Sequence, residues 1–133
     1  MLMWLIDDSR DHHLVADSTV ARLPGVVLVH HYDGVSAEAE YATLQADPAR
    51  PAPVVVLMDY FIGEERGDQV TRALRAVERR SRAVIIGYSS VASGSARIVE
   101  AGGDLALRKH CDQIGINPSL LRYLLSLPSS MRS

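Results

Sequence analysis

The chain has 133 residues, of which 47% are apolar and 23% are charged, values that are ordinary for one soluble globular domain. The formal net charge of −2 gives no basic field for general nucleic-acid binding. Cys111 is the single cysteine, which excludes an internal disulfide framework and suits a reducing compartment. The apolar opening at residues 1–6 is too short to cross a membrane, and no basic leader accompanies it. We therefore predict a cytoplasmic protein that contacts neither membranes nor nucleic acid directly.

Strand-like and helix-like segments alternate five times along the chain. Short apolar runs predict the strands, while apolar periodicity, N-caps such as Ser9, and Pro or Gly stops predict the helices. In chain order we predict a strand at 2–6, a helix at 10–23, a strand at 26–29, a helix at 35–46, a strand at 54–58, a helix at 68–80, a strand at 83–86, a helix at 92–101, a strand at 105–107 and a helix at 118–127. One domain would span 1–127, with a flexible Ser- and Pro-containing tail at 128–133.

The segment at 54–58 is an uninterrupted apolar run that ends at Asp59, which is typical of a central parallel strand buried on both faces. The alternation predicts an α/β fold with a single doubly wound, parallel five-stranded sheet in the order 2-1-3-4-5. That order would bring Asp7 and Asp8 beside Asp59, with Ser89 on the other flank and Lys109 one strand further out. Ligands of such sheets bind at this carboxyl edge.

Three carboxylates in one crevice predict a cation site. Each pair of unit charges a few ångströms apart costs about 4 kcal/mol at an effective dielectric constant of about 20. Hard oxygen ligands favour Mg²⁺ or Mn²⁺. We expect Asp8 and Asp59 to bind the ion directly, Asp7 to act through water or as a supporting acid, and the backbone carbonyl of Phe61 to be a further ligand.

Asp59 is also the best candidate nucleophile, since no cysteine, and no serine with an adjacent base, is placed centrally. The three aspartates, a divalent ion and Lys109 sum to zero charge, which leaves room for one phosphoryl group. Its oxygens would be held by the ion, the Lys109 ammonium, the Ser89 hydroxyl and backbone N–H groups. The residues thus favour an aspartyl phosphate on Asp59.

These residues belong to four short motifs that follow one another at a characteristic spacing over essentially the whole chain. The motifs are Ile6-Asp7-Asp8-Ser9, Val56-Leu57-Met58-Asp59 with Gly67 eight residues on, Ile85-Ile86-Gly87-Tyr88-Ser89-Ser90, and Ala101-Gly102-Gly103-Asp104 leading to Lys109. Together they resemble the receiver domain of bacterial response regulators.

The resemblance implies a flavodoxin-like (βα)5 fold that takes a phosphoryl group on Asp59 from a sensor histidine kinase or a phosphotransfer protein, with Mg²⁺. It implies signalling to a downstream protein through the surface of the fourth helix, fifth strand and fifth helix. A homodimer through surplus apolar area on the leucine-rich last helix is an alternative use of that helix. In this reading the chain is a phosphoacceptor and not an enzyme.

Four positions differ from the usual receiver pattern. Ala106 replaces the aromatic residue that couples the site to the output surface, and His110 replaces a proline that follows the lysine in a cis peptide. A non-proline cis bond costs about 3–4 kcal/mol, so we expect a trans peptide with a rearranged loop, or a strained bond kept for function. Gly63 stands where proline is common, which loosens its loop. Phe61 replaces a polar residue and could shield a phosphoryl group from water.

Two other functions compete with this interpretation. A degenerate receiver would keep the fold but bind partners without phosphorylation. An aspartyl-phosphate phosphatase or phosphotransferase usually has a second acid two residues after the nucleophile, where this chain has Phe61. Two histidine pairs, His12-His13 and His30-His31, lie near the same edge, but a transition-metal site is not favoured because neighbours in sequence point apart.

Overall fold

Twelve helices and strands are present in residues 1–109 and 118–127, which are the part of the chain that the computed structural model describes. In chain order they are β1 (Leu2–Ile6), α1 (Arg10–Val20), β2 (Val27–His31), α2 (Gly34–Ala46), β3 (Val55–Met58), β4 (Phe61–Ile62), β5 (Glu65–Arg66), α3 (Gly67–Val77), β6 (Val84–Ser89), α4 (Ala92–Glu100), β7 (Leu105–Arg108) and α5 (Pro118–Ser126). None of the helices in these residues is long and apolar enough to span a lipid bilayer.

The main sheet has five parallel strands in the order β2-β1-β3-β6-β7. Because β6 and β7 are its fourth and fifth strands, this is the predicted 2-1-3-4-5 order, and the predicted fold class is confirmed. The direction in which successive strands are added to the sheet reverses at β1: β2 lies on one side of β1, whereas β3, β6 and β7 lie on the other. A crevice forms outside the strand ends at such a point.

Apolar side chains cover both faces of the sheet because alternate residues of a strand point to opposite sides. Trp4 and Ile6 of β1 pack on one face with α2, α3 and α4. Met3 and Leu5 pack on the other face with α1 and α5. β3 is completely buried, as its uninterrupted apolar sequence predicts.

Two helices end three residues earlier than predicted, and in each case other hydrogen bonds engage the backbone beyond the helix. α1 ends at Val20 rather than 23, because the amides of residues 22 and 23 bond to the carbonyls of Thr19 and Val20 in tight turns. α3 ends at Val77 rather than 80, because the amides of residues 79 and 80 donate to Oε1 of Gln45 at 3.0 and 3.2 Å. The Gln45 side chain thus terminates a helix from which it is distant in sequence.

The segment after Asp59, predicted as a loop, contains a short antiparallel hairpin. β4 and β5 have two residues each and pair Phe61 with Arg66. Gly63 lies between them with φ +61°, a conformation that glycine adopts without strain. The predicted His110 peptide geometry and the predicted tail at 128–133 lie outside the described residues.

Candidate functional site

Backbone pairing carries the sheet one residue past its strands and aligns the residues of the site. The Asp7 amide donates to the His31 carbonyl at 3.1 Å, and the Asp59 amide donates to the Ile6 carbonyl at 3.0 Å. Lys109 is held in the same way, by a 3.1 Å hydrogen bond from its amide to the Ser89 carbonyl. The strand order therefore fixes Asp7, Asp59 and Lys109 on one edge before any side-chain contact is made.

Asp7 is the centre of the site and is completely buried. Its Oδ1 accepts a hydrogen bond from the Ser9 amide at 2.8 Å, and its Oδ2 accepts one from Lys109 Nζ at 2.6 Å. Burial alone would raise the pKa of Asp7, but the Lys109 ammonium and these hydrogen bonds hold that pKa below its ordinary value. Asp7 is therefore a carboxylate at neutral pH.

Asp59 lies beside this pair in a different electrostatic environment. Its Oδ1 accepts a hydrogen bond from the Tyr60 amide at 2.8 Å, and its Oδ2 lies 3.2 Å from Lys109 Nζ. Burial raises the pKa of Asp59 to about 6; Lys109 opposes that shift and the Asp7 charge adds to it. Two neighbouring carboxyls with divergent pKa values are characteristic of functional sites.

Lys109 is the only lysine in the sequence, and its side chain is only 3% exposed. Its Nζ contacts Asp7, Asp59 and Nδ1 of His12, the last at 2.9 Å. A buried ammonium requires such partners, since removing a charge from water is costly unless opposite charges and hydrogen bonds replace the water. One cation thus joins three other side chains.

His12 is a member of the site that the sequence analysis did not assign. Its Nδ1 lies 2.8 Å from Asp7 Oδ2. Ser9 caps α1, accepting from the His12 amide at 3.4 Å, so His12 lies in the first helical turn. Side chains there tilt towards the helix N-terminus, and hence towards the strand end that holds Asp7. From that tilt and the Ser9 cap, the position of His12 near Asp7 could have been predicted.

Three of the other predicted site residues make different contacts. The Asp8 carboxylate accepts a hydrogen bond from the Gly63 amide at 2.9 Å and so pins the hairpin. The Ser89 hydroxyl is buried and accepts from the Val91 amide at 3.1 Å. The Phe61 side chain is 57% exposed and packs edge-on against Tyr60. Metal and phosphoryl roles for these residues stay predictions.

Gly67, at the start of α3, allows the backbone to approach the candidate nucleophile closely. A Cβ at this position would collide with the backbone carbonyl of Asp59 and would lie 3.0 Å from Ile98. The Gly67 amide donates to the Tyr60 carbonyl at 2.7 Å, which closes the hairpin segment against the end of β3. Gly67 is therefore needed for space and not for an unusual backbone conformation.

Among the described residues, one group of side chains could hold a metal ion. Asp7 and Asp59 each offer a carboxylate oxygen and His12 offers a ring nitrogen, with these atoms all within 4.8 Å of one another. The carboxylate oxygens suit a hard ion such as Mg²⁺. Asp8 would join only after releasing the Gly63 amide, because its Oδ2 is engaged in that hydrogen bond.

No protein-family model matches the chain, and comparison with curated proteins finds no match. Solved structures do match it. A point mutant of the receiver domain of the histidine kinase CKI1 from Arabidopsis thaliana is 20% identical, with a TM-score of 0.72 over 95% of this chain and 90% of that one. A two-component response regulator from Clostridium difficile is 13% identical, with a TM-score of 0.71 over 94% and 92%.

A third similar structure, a response regulator from Burkholderia pseudomallei, is 16% identical, with a TM-score of 0.64 over 94% of this chain and 72% of that one. It contains a phosphorylated aspartic acid, a calcium ion and citrate. These similarities extend over nearly the whole chain. The site residues lie at the carboxyl ends of the parallel strands, where sheets of this topology bind their ligands. The chain therefore has the fold of response-regulator receiver domains.

Proposed function

We propose that the protein is a receiver that accepts a phosphoryl group on Asp59 and signals by protein–protein contact. The observation that carries this proposal is the placement of Asp59 after central strand β3, with its Oδ2 3.2 Å from the buried ammonium of Lys109. The phosphodonor would be a phosphohistidine of a sensor histidine kinase or phosphotransfer protein. The cytoplasm is the proposed location, since a single cysteine suits a reducing compartment.

The chemical step is a displacement at phosphorus. A carboxylate oxygen of Asp59 forms the new O–P bond as the N–P bond of the phosphohistidine breaks, and the imidazole nitrogen keeps the electron pair and takes up a proton. Lys109 can then turn its ammonium to the added negative charge, while its bond to Asp7 keeps it in place. The raised pKa of Asp59 means that the attacking form predominates above about pH 6.

Mg²⁺ or Mn²⁺ is the proposed cofactor, and when bound it would neutralise charge on the transferring phosphoryl group. Asp7 and Asp59 would hold it, with Asp8 and the Phe61 carbonyl as further candidate ligands. The carboxylate chemistry of this edge fits a hard divalent ion. The phosphorylated aspartic acid and calcium ion of the Burkholderia pseudomallei relative support both parts of the proposal.

The proposed output surface consists of α4, β7 and α5. Ala106 is exposed on β7, one of the two edge strands of the described sheet, so a partner could reach this position. Leu125 of α5 is also exposed, and it could contact a downstream protein or a second copy of the chain. No nucleic acid or membrane is part of the proposed signalling contact.

The second candidate function is a degenerate receiver, and one observation favours it. Two carboxylates at this edge already have partners within the protein, because the Lys109 ammonium neutralises Asp7 and the Gly63 amide donates a hydrogen bond to Asp8. A pocket of this kind could serve as a phosphorylation-independent binding module. A phosphatase or phosphotransferase with an aspartyl intermediate would need a different second acid, since the exposed Phe61 stands where that acid is usual.

Intact-mass measurement after incubation with acetyl phosphate and Mg²⁺ separates these functions. We expect the wild type to gain the mass of one phosphoryl group only with Mg²⁺, and Asp59→Asn to gain none. Asp11→Asn removes an exposed carboxylate from α1 and is the matched control, which should behave as the wild type does. A folded wild type that gains no mass would support the degenerate receiver, and steady turnover of free phosphoester would support the enzyme.

A further inference from the structure

A basic cleft lies at the edge of the sheet opposite to the one that carries Asp59, between the end of α3 and the start of β6. Its volume of about 470 Å³ is in the range of small-molecule sites. The cleft is lined by four arginines, one glutamate and one serine, namely Arg75, Glu78, Arg79, Arg80, Ser81 and Arg82. Because β6 begins beside the cleft and ends at Ser89, the length of a strand separates the cleft from the Asp59 site.

One buried side chain holds the backbone of the arginine-rich turn at residues 79–82. Gln45 of α2 is only 3% exposed, and its Oε1 accepts hydrogen bonds from the amides of residues 79, 80 and 81 at 3.0, 3.2 and 3.4 Å. Its Nε2 donates to the carbonyl of Ser81 at 3.0 Å and to the Ser81 hydroxyl at 3.2 Å. A turn fixed in this way has little conformational freedom to lose when a ligand binds, so the cleft is preorganised.

Two of the four arginines are paired with carboxylates. Arg75 lies 2.9 Å from an oxygen of Asp104 and 2.9 Å from an oxygen of Glu78. Arg82 lies 2.7 Å from the other oxygen of Asp104, and its side chain is 58% exposed. This pair engages one nitrogen of the Arg82 guanidinium, which has five N–H groups in all. Arg82 is therefore held beside the turn while most of its donors can still reach a ligand.

The other two arginines carry charges that no carboxylate among the described residues neutralises. Arg80 donates hydrogen bonds to the backbone carbonyls of Leu44 and Arg50, which leave its charge in place. Arg79 is exposed, and its side chain makes no hydrogen bond or ion pair with a described residue. With four arginines against two carboxylates, the cleft keeps a net charge of +2, whereas the whole chain has −2. An anion bound here would relieve the repulsion between neighbouring guanidinium groups.

We propose that this cleft binds the oligophosphate group of a small molecule. Every cation in it is an arginine, whose planar guanidinium matches the oxygens of phosphate in a bidentate way. A chain of two or three phosphates carries enough oxygens to engage Arg79, Arg80 and Arg82 together. The site goes beyond the proposed phosphoacceptor function and does not depend on it, because it contains none of the residues at the Asp59 edge.

The surroundings of the cleft favour a compact polar ligand. None of the residues that line it is a large exposed apolar side chain, so the cleft has no anchor for a membrane surface or for the core of a protein interface. Tyr41 contacts Glu78 beside the cleft, but its ring is fully buried and offers no face on which a nucleobase could stack. The phosphates would therefore supply most of the affinity, whether they are inorganic or belong to a nucleotide.

The test is calorimetric titration of the purified protein with tripolyphosphate at neutral pH and low salt. Divalent ions are left out, so that the aspartate pocket takes no part in binding. Arg79→Gln should weaken tripolyphosphate binding by about tenfold, which is what losing one charge-assisted hydrogen bond costs. Adding Arg82→Gln should weaken it further. In amide NMR spectra of the wild type, tripolyphosphate should shift the signals of residues 79–82 and leave that of Asp59 in place.

Arg10→Gln is the matched control, because it removes an exposed arginine from the opposite edge, at the start of α1, and should bind tripolyphosphate as the wild type does. Titration with ATP identifies the source of the phosphates: tighter binding than tripolyphosphate would indicate a nucleotide, and equal or weaker binding an inorganic chain. Equal affinity in the wild type and the folded Arg79→Gln/Arg82→Gln variant would overturn the site. An equal loss in Arg10→Gln, or binding of oligoglutamate without binding of tripolyphosphate, would overturn it as well.

Discussion

Lys109 donates a 2.6 Å hydrogen bond to Asp7, and both side chains are almost completely buried. The two residues are 102 positions apart in sequence, so this contact ties the end of β7 to the end of β1 across β3 and β6. Removing one partner of a buried ion pair leaves an uncompensated charge, which is more costly than removing both. The pair is therefore both a structural link and the electrostatic centre of the site.

Lys109→Met should lower the free energy of unfolding by about 3–5 kcal/mol at neutral pH, because Asp7 is left as a buried carboxylate without its cation. Urea denaturation measures the change. Arg10→Met, an exposed substitution at the start of α1, is the control and should cost little. Adding Asp7→Asn to Lys109→Met should restore part of the loss. A loss below about 1 kcal/mol in the single variant would mean that the pair contributes no more than a surface ion pair.

Asp59 should make the protein less stable as the pH rises from about 4 to about 6. Its pKa is raised from 3.8 to about 6 by folding, so in this window the folded state holds a proton that the unfolded state has released. Asp59→Asn removes that proton, and at neutral pH it should be more stable than the wild type by about 2–3 kcal/mol. The difference should shrink towards zero below pH 4. A stability difference that does not vary with pH would contradict the raised pKa.

Gly67→Ala should destabilise the fold by about 1–3 kcal/mol or more, because the added Cβ has to push against the Asp59 backbone and Ile98. Gly63→Ala tests a different requirement, since nothing lies within 4 Å of its Cβ and only the positive φ opposes a side chain. Its cost should be about 1–2 kcal/mol, and Gly63→Asn should cost less because asparagine tolerates this conformation. Thermal unfolding of the three variants gives the ranking. A Gly67→Ala protein as stable as the wild type would show that the backbone at Asp59 can move aside at little cost.

Asp104→Asn should lower stability by about 1–3 kcal/mol without preventing phosphoryl uptake. Asp104 accepts hydrogen bonds from Arg75 and Arg82 at 2.9 and 2.7 Å, and from the Ile85 amide at 2.9 Å. Charge-assisted bonds of this kind contribute more than neutral ones. Denaturation and the mass assay together test the prediction. Loss of phosphoryl uptake at unchanged stability would instead connect Asp104 to the site.

Much of the fold could be predicted because the apolar runs that mark strands and the periodic patterns that mark helices are local and recur along the chain. The apolar run that forms β3 has no polar residue to place on a solvent face, so it had to be a central strand, and the alternation of elements then set the sheet order. The β4–β5 hairpin could not be predicted in this way. Its strands have two residues each, and its position depends on Asp8 and on Glu65, which accepts from the Gly34 amide at 2.9 Å.

The site could be predicted in part, for a related reason. Strand order alone brings Asp7, Asp59 and Lys109 to one edge, but it does not determine where each carboxylate points. The Asp8 side chain turns to the hairpin, whose geometry the sequence does not reveal. The adjacent histidines make different contacts: His12 Nδ1 lies beside the Asp7 carboxylate, whereas His13 lies between His30 and the Asp7 backbone carbonyl. What sequence reasoning missed is that one histidine of such a pair can still reach the site, as His12 does through its contact with Asp7.

Ala106 has a consequence for how any change at the pocket could be read by a partner. It is exposed on β7, and a methyl side chain has no alternative rotamers. Ala106 itself therefore cannot report the charge of the pocket to a partner by changing its side-chain conformation. If this edge of the molecule transmits a signal, the change has to come from movement of the β7 backbone or from neighbouring side chains such as Arg108.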